Sequence, residues 1–297
     1  MAEGVIIKSL SGFYTVMSEG LRYECRARGV FRKDGLVPLV GDRVSIEKLD
    51  DGKGVVSEIK PRSHAFVRPA VANVEVLILV ASAVIPVTDP FLIDRMTAIA
   101  ENANCGVILC INKSDLDPGD RLAEIYAKSG YPIIRTSAVT GEGIEALREA
   151  VRGKICAITG NTGVGKSSLL NALFPELALQ VGEVSKKLGR GRHTTRHVEL
   201  FALGADTYIA DTPGFASFDT ELMDPIPKDK LQSLFPEFQP YLGQCRFQDC
   251  AHLKEPGCAV LEAMEAGEIH PSRHDGYSRL YSLSSKINAW ELKSTQN

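Results

Sequence analysis

The chain has 297 residues, of which 44% are hydrophobic and 24% charged, and its net charge is −3. This composition excludes a wholly disordered or collagen-like chain and gives no sign of bulk affinity for nucleic acid. The apolar runs are too short to span a bilayer and no secretory signal is recognisable, so we expect no membrane association. Seven cysteines, an odd number, favour a reducing, cytoplasmic environment over a disulfide framework.

Residues 1–67 read as a series of short strands. The runs GFYTV, LRYECRARG, DRVSIEKL and GVVSEI are separated by Gly-rich turns, and no helical period appears among them. Five strands in this length are typical of an OB-fold. We therefore predict an all-β OB-fold barrel over residues 1–67.

A cluster of basic residues lies inside this barrel region, with two aromatic residues close by. The basic residues are Arg22, Arg26, Arg28, Arg32 and Lys33, and the aromatic ones are Tyr23 and Phe31. Cations that meet phosphates and rings that stack on bases are typical of RNA-binding surfaces. The alternative is an ordinary solvated strand face.

From residue 68 to residue 220 strands and helices alternate. The apolar runs VEVLILVASA, CGVILCIN and KICAITG are typical of strands buried on both faces, and amphipathic stretches separate them. This alternation predicts an α/β domain with a parallel, doubly wound sheet. Residues 221–297 are helical and rich in proline, which predicts a small, mainly helical third domain.

A phosphate-binding loop follows the run KICAIT and precedes the helical stretch SSLLNALF. The motif GNTGVGKSS has the P-loop spacing, and its strand–loop–helix context is the one that the motif requires. Loop amides and the helix N-terminus favour phosphate, the lysine reaches the β- and γ-phosphates, and the first serine binds Mg²⁺. The candidate nucleotide-binding residues are Gly160, Asn161, Thr162, Gly163, Val164, Gly165, Lys166, Ser167 and Ser168.

Two further motifs follow buried strands and predict that the base is guanine. In NKSD the carboxylate of Asp115 is placed to accept hydrogen bonds from N1–H and the 2-amino group of guanine, which adenine cannot offer. Asn112 and Lys113 precede it, and the stem of Lys113 can lie along the base. In TSA, Ser137 and Ala138 offer a backbone N–H toward the guanine O6.

The sequence also contains candidate switch segments. Asp211 and Gly214 belong to DTPG, where the carboxylate can hold Mg²⁺ through water and the Gly214 N–H can meet the γ-phosphate. Upstream, either Thr194 or Thr195 could complete the Mg²⁺ shell with Ser167, and the resemblance of this segment to guanine-nucleotide switches favours Thr195. Residues 186–196 carry five Lys/Arg and no acidic residue.

The group that orients the attacking water is not supplied by the residue after DTPG. Phe215 follows DTPG, where Ras-like proteins have a glutamine that positions water, and phenylalanine cannot do this. His193 is our candidate catalytic residue, because a neutral imidazole can accept a hydrogen bond from water. Two alternatives stay open: His193 or Arg192 binds only a partner, or catalysis is completed in trans.

Near the C-terminus, three cysteines and one histidine lie within fourteen residues, at Cys245, Cys250, His252 and Cys258. A Cys₃His set fills the four positions of tetrahedral Zn²⁺, which predicts one closed, structural zinc site. The spacing is not that of a standard zinc motif, so unrelated loop cysteines are the alternative. A proline-interrupted region with little core of its own would nevertheless need such a staple.

The order of these motifs is unusual. NKSD and TSA precede the phosphate loop, GRHTTRH and DTPG, whereas ordinary small GTPases have the phosphate loop first, so the GTPase domain is circularly permuted. With the basic barrel before it and Cys-x₄-Cys-x-His-x₅-Cys after it, the chain resembles the RsgA family of circularly permuted, ribosome-associated GTPases. The resemblance implies GTP hydrolysis stimulated by the small (30S) ribosomal subunit, a role in the late maturation of that subunit, and contact with its rRNA.

Two other functions are compatible with parts of this pattern. A GTP-dependent metal chaperone would have a labile metal, whereas four ligands indicate a closed site. A purely structural RNA-binding protein would have a damaged phosphate loop, and this loop is intact. We expect a monomer that binds GTP and GDP with Mg²⁺ and carries one structural Zn²⁺.

Overall fold

The computed structural model describes residues 1–29, 31, 35–66, 70–175, 198–204, 206–211 and 226–286. In this part of the chain eleven strands form one continuous sheet, part of which closes into a barrel. The expected domain boundaries, 67/68 and 220/221, both fall outside the described residues.

The N-terminal strands form the barrel. They are β1 (Ala2–Leu10), β2 (Phe13–Ser18), β3 (Leu21–Ala27), β4 (Arg43–Lys48) and β5 (Lys53–Ile59). Their order is β1-β2-β3-β5-β4, and the pairing of β1 with β4 closes the sheet; β3 and β5 are parallel and the other pairs antiparallel. Alternate side chains such as Tyr14 and Val16 point into the core, as the period of two requires. The predicted β-barrel is confirmed.

The second part of the sheet is the parallel sheet that the apolar runs predicted. Its strands are β8 (Val76–Ser82), β9 (Gly106–Asn112), β10 (Ile133–Thr136), β11 (Ile155–Thr159), β12 (Glu199–Ala202) and β13 (Tyr208–Asp211). The order is β10-β9-β8-β11-β13-β12, and β12 alone of these strands is antiparallel to its neighbour. All seven residues of β8 are buried, as expected for a strand covered on both faces.

Among the described residues, four helices cover the parallel sheet. They are α1 (Pro90–Asn102), α2 (Asp120–Tyr126), α3 (Ile144–Val151) and α4 (Lys166–Leu173). The start of α1 is well defined, because the Asp89 carboxylate accepts a hydrogen bond from the Phe91 N–H at 3.0 Å and Pro90 occupies the first turn. A two-stranded hairpin of β6 (Ala65–Phe66) and β7 (Val71–Ala72) lies between barrel and parallel sheet.

The barrel is joined directly to the edge of the parallel sheet. Strands β1 and β12 pair antiparallel at Lys8 and Glu199, whose side chains form an ion pair of 3.0 Å. The two parts therefore share a sheet edge.

The C-terminal region is helical, as predicted, and packs on α1. It contains α5 (Lys228–Leu231), two 3₁₀ turns (Gln232–Leu234 and Pro236–Tyr241), α6 (Ala259–Glu265) and α7 (Pro271–Ser284). Its aromatic core includes Phe235, Phe238 and Tyr277, and Ala98 of α1 belongs to the same cluster. The last described helix begins at Pro271, because Pro271 and the His270 cap define its first turn.

The four cysteines outside the C-terminal cluster are buried. Cys25, Cys105, Cys110 and Cys156 carry free thiols in the cores of the barrel and the parallel sheet. Burial raises the pKa of the Cys110 thiol to about 12, so it stays protonated and behaves as a small apolar side chain.

No helix in the described part of the chain is long and apolar enough to cross a membrane.

Candidate nucleotide site and metal centre

The phosphate loop connects β11 to α4 and depends on two glycines with no room for a side chain. Gly160 has φ +148°, and a Cβ there would collide with the Val80 carbonyl oxygen of β8. Gly165 has φ +98°, and a Cβ there would collide with the side-chain amide of Asn112. Glycine is therefore required at both positions, and the loop is held against the neighbouring strand ends.

Lys166 is the first residue of α4 and lies over the loop. Its Nζ donates hydrogen bonds to the carbonyl oxygens of Gly160 at 2.6 Å and Asn161 at 2.9 Å. Its ammonium is partly buried, which lowers the pKa of Lys166, and a nearby anion would be strongly attracted to a cation in such a place. Ser167 and Ser168 follow it in the first turn, with exposed side chains.

Asn112 joins three segments at the carboxyl edge of the sheet. Its Nδ2 donates to the Val164 carbonyl oxygen of the phosphate loop at 2.8 Å, and its Oδ1 accepts from the Thr136 hydroxyl at 3.1 Å. Asn112 is 2% exposed. The last residue of β9 is thus a buried bridge between the end of β10 and the loop after β11.

Lys113 has a left-handed backbone, with φ +66°, which turns the chain out of β9. Its Nζ donates to the Ile85 carbonyl oxygen at 2.9 Å. Ile85 belongs to the loop of residues 83–88 between β8 and α1. In the same loop, the ring of Pro86 lies 3.3 Å from where a Cβ of Gly163 would be.

The 83–88 loop could not be identified from a sequence motif. It is fixed at its base, because the Ser82 hydroxyl donates to the Val84 carbonyl oxygen and the Ser82 N–H donates to the Thr88 hydroxyl, both at 3.0 Å. No P-loop or base-reading motif includes it. The signal that could have found it is topological: in a parallel sheet, the loop after the strand beside β11 must lie next to the phosphate loop.

The NKSD and TSA segments lie side by side at the ends of β9 and β10. The Ser114 N–H donates to the Thr136 carbonyl oxygen at 3.1 Å, and the Ser114 hydroxyl donates to the Glu142 carboxylate at 2.7 Å. Asp115 is exposed in the turn that follows. The Ser137 N–H donates to the Glu142 carbonyl oxygen at 3.0 Å, which leaves Ala138 as the candidate donor to a base.

The candidate switch residues are only partly placed. Asp211 ends β13, which runs parallel to β11, so its backbone lies at the same sheet edge as the phosphate loop. The candidate residues His193, Thr194, Thr195 and Gly214 lie outside the described residues, as do Phe215 and the basic run 186–196.

The two aromatic residues expected to stack on RNA bases do not face solvent. Tyr23 and Phe31 are buried in the barrel core, because their positions point inward. The exposed aromatic of this region is Phe13, whose ring centroid lies 4.5 Å from the Arg26 guanidinium carbon. The interpretation of Tyr23 and Phe31 as stacking faces was therefore wrong.

The four predicted metal ligands converge in the C-terminal region. The ligand atoms of Cys245, Cys250, His252 and Cys258 all lie within 4.8 Å of one another. The His252 Nδ1 is 3.5 Å from the Cys245 Sγ and 3.3 Å from the Cys258 Sγ, and those two sulfurs are 3.9 Å apart. A Zn–S bond of about 2.3 Å separates tetrahedral sulfurs by about 3.8 Å, so the residues fit Zn²⁺.

Groups around the ligands support this geometry, and sequence reasoning did not identify them. The His252 Nε2 lies 2.7 Å from the Gln232 side-chain oxygen, which favours the tautomer that leaves Nδ1 free for a metal. The His274 Nε2 lies 2.7 Å from the His252 carbonyl oxygen. Burial lowers the pKa of His252, which favours the neutral imidazole that metals bind.

A parallel sheet that carries a phosphate loop and a base-reading strand, in permuted order, defines a circularly permuted P-loop GTPase. Family models for the RsgA GTPase and the RsgA N-terminal domain match residues 59–221 and 3–56. The chain belongs to the RsgA GTPase family, whose members hydrolyse GTP, and the resemblance seen in the sequence is confirmed.

Individual relatives match the chain over nearly its whole length. The "small ribosomal subunit biogenesis GTPase RsgA" of Geobacillus thermodenitrificans is 49% identical over 283 residues, covering 93% of this chain and 95% of the relative. The protein with the same name from Ruminiclostridium cellulolyticum is 43% identical and covers 100% of this chain and 98% of the relative.

Solved structures agree with the fold. YjeQ from Thermotoga maritima is 37% identical with a TM-score of 0.82, covering 97% of this chain and 99% of that one. YloQ, described as "a circularly permuted GTPase", is 35% identical with a TM-score of 0.78, covering 100% and 96%.

Metal analysis tests the candidate centre. We expect about one Zn²⁺ per chain in the purified protein, and loss of that zinc together with a lower melting temperature in Cys250→Ala, because a tetrahedral site with three ligands is incomplete. Cys25→Ala, which removes a buried thiol from the barrel, is the control and should retain its zinc. Full zinc content in Cys250→Ala would contradict the assignment.

Proposed function

We propose that this chain is a small ribosomal subunit biogenesis GTPase. It binds the 30S subunit and its rRNA, is stimulated by that subunit, and is released when GTP is hydrolysed during late maturation. The observation that carries the proposal is the match over nearly the whole chain to relatives of that name, at up to 49% identity. The intact phosphate loop and base-reading edge support an active GTPase.

The phosphate loop and Lys166 are proposed to hold the triphosphate. The loop amides between Gly160 and Ser168 and the N-terminus of α4 supply positive potential, and the ammonium of Lys166 lies partly buried beside them. A triphosphate would replace the carbonyl oxygens of Gly160 and Asn161 as partners of this ammonium. Low local dielectric makes such a contact strong.

The guanine base is proposed to bind beside β9 and β10. Asp115 would accept its N1–H and 2-amino hydrogens, and its exposure at the turn leaves it accessible. Lys113 is held by the Ile85 carbonyl oxygen, so that its stem can lie along the base. Because Ser137 donates its N–H to Glu142, we assign the contact with O6 to the Ala138 N–H.

Mg²⁺ with GTP is proposed to be held by oxygen atoms of Ser167, Asp211 and Thr195. Hydroxyl and carboxylate oxygens are the ligands that this cation prefers, and Ser167 is exposed next to the loop. Gly214 would contact the γ-phosphate. We propose that His193 orients the attacking water, because Phe215 cannot.

RNA contact is proposed for the barrel, with a second contribution from the basic segment of residues 186–196. The stacked pair of Phe13 and Arg26 gives the barrel an exposed aromatic face beside a cation. The zinc site is proposed to be structural, since all four ligand positions come from the protein. We further propose that the protein acts as a monomer in the cytoplasm.

Exchange of Asp115 tests the base-reading assignment. Asp115→Asn should weaken GTP binding and favour xanthosine nucleotides, because its amide offers a donor where guanine also has one. Binding of labelled GDP and XDP measures the preference. Asp120→Asn, an exposed aspartate on the next helix, is the control and should bind GDP as the parent does. GDP affinity unchanged in Asp115→Asn would refute the assignment.

Removal of the loop lysine tests the phosphate site. Lys166→Ala should lose GTPase activity by about 10²-fold or more, since it deletes the cation beside the developing phosphate charge. Turnover is measured with saturating 30S subunits, and Lys128→Ala, an exposed lysine far from the loop, serves as the control. Undiminished turnover in Lys166→Ala would exclude the proposed site.

Subunit binding tests the switch mechanism. The protein with a non-hydrolysable GTP analogue should bind 30S subunits more tightly than with GDP, because a ligand shifts a state only through differential affinity. In the same assay His193→Ala should bind normally but lose stimulated turnover by about 10²-fold or more. His270→Asn, which keeps a capping side chain on α7, should retain it.

Equal subunit affinities in the two nucleotide states would eliminate the switch. Full turnover in His193→Ala would keep the switch and exclude His193 as the water-orienting residue.

A further inference from the structure

A fully buried arginine joins the GTPase domain to the C-terminal residues 226–286, which contain the Cys₃His cluster and are called the metal-bearing region below. Arg273 of α7 is 1% exposed. Its Nη1 is 2.5 Å from the Asp94 carboxylate of α1, and its Nε is 2.5 Å from the Glu237 carboxylate. Its guanidinium carbon lies 4.5 Å from the ring centroid of Phe235 and 5.2 Å from that of Tyr126 in α2. One guanidinium thus contacts both regions.

Around this cluster α1 and α7 are in close contact. The Asp94 Oδ1 also accepts from the Tyr126 hydroxyl at 2.8 Å. Its Oδ2 has no hydrogen-bond partner among the described residues and lies against Gly276, where any Cβ would overlap it. Glycine at that position lets the helices approach closely, so the two helices are expected to move together.

Each of these two helices is connected to a site. On α7, His274 is hydrogen-bonded to the His252 carbonyl oxygen at 2.7 Å, and the Tyr277 hydroxyl donates to the Ala251 carbonyl oxygen at 2.9 Å. At its other end, α1 begins immediately after the 83–88 loop. In that loop the Ile85 carbonyl oxygen accepts a hydrogen bond from Lys113 of the base-reading motif, and Pro86 packs on Gly163 of the phosphate loop.

We propose that Arg273 is a positioning residue through which the seating of the metal-bearing region on α1 sets the nucleotide affinity of the GTPase domain. The contiguous contacts run from the metal centre through α7, Arg273, Asp94 and α1 to the 83–88 loop. This inference rests on the nucleotide and zinc assignments proposed above. The coupling free energy between two sites is the same in both directions. Bound nucleotide must therefore stabilise the seating of the metal-bearing region in turn.

The charges of the cluster determine how it can be tested. Two carboxylates share one guanidinium, and burial raises the pKa of Asp94 to about 6 despite that neighbour. Removing Arg273 alone would leave both carboxylates unpaired in the interior, which is strongly destabilising. Neutralising all three groups together removes the directed contacts without leaving a buried charge. The triple change Arg273→Met, Asp94→Asn and Glu237→Gln is therefore the informative one.

The triple variant separates positioning from stability. We expect it to fold with about one zinc per chain, at a melting temperature lowered by the unpaired amides, and to bind fluorescent GDP and a non-hydrolysable GTP analogue about fivefold or more weakly. The matched control is Arg279→Met on the same helix. Its half-exposed guanidinium stacks on Phe91 of α1, and its removal should change nucleotide affinity less than twofold.

A measurement on the unaltered protein covers the case in which the triple variant does not fold. Release of zinc to a chelator should be slower by about fivefold or more with saturating GDP than without it. Equal release rates would overturn the proposal, as would parental nucleotide affinity in a folded, zinc-loaded triple variant. Failure of the parent to bind any guanine nucleotide would instead refute the nucleotide site itself.

Discussion

One buried amide holds the carboxyl edge of the parallel sheet together. Asn112 binds the phosphate loop with its NH₂ group and the end of β10 with its oxygen, and it is almost completely excluded from water. An unsatisfied amide in that place would be costly, so the loop and both strand ends are constrained to one arrangement. The hydrogen bond to Val164 joins residues 52 positions apart, so this arrangement depends on contacts in space and not on the order of the segments along the chain. Permutation can move the termini and leave the site unchanged.

Features with a local chemical requirement could be predicted from the sequence. The phosphate loop needs glycines at fixed places, a fully buried strand needs a continuous apolar run, and a tetrahedral metal needs four ligands. These residues, including Gly160, Gly165 and the Cys₃His set, lie where the motifs imply. The barrel was likewise predictable from its series of short strand-like runs. The permuted GTPase fold was predictable from the alternation of strands and helices and from the order of the motifs.

Features that depend on packing between distant segments were not predictable. Tyr23 belongs to the barrel core because of the register of its strand, and Phe31 because the segment after β3 folds back onto that core, neither of which the composition of a basic run reveals. The 83–88 loop is part of the candidate site because folding places it against Lys113. Gln232 is part of the metal centre because folding places it against His252. Arg273, Asp94 and Glu237 are up to 179 residues apart and carry no motif. A charged residue normally lies on the solvent-exposed face of a helix, and only the fold shows that these three residues are buried.

The single pairing of β1 with β12 has a consequence for how the chain can be divided. Strand β12 is the last strand of the parallel sheet, and its outer backbone groups would be unpaired without the barrel. An open strand edge is a template for intermolecular association. The barrel therefore also acts as a cover for that edge. The GTPase region released from the barrel would present an open strand edge, so a fragment needs both parts to keep that edge covered.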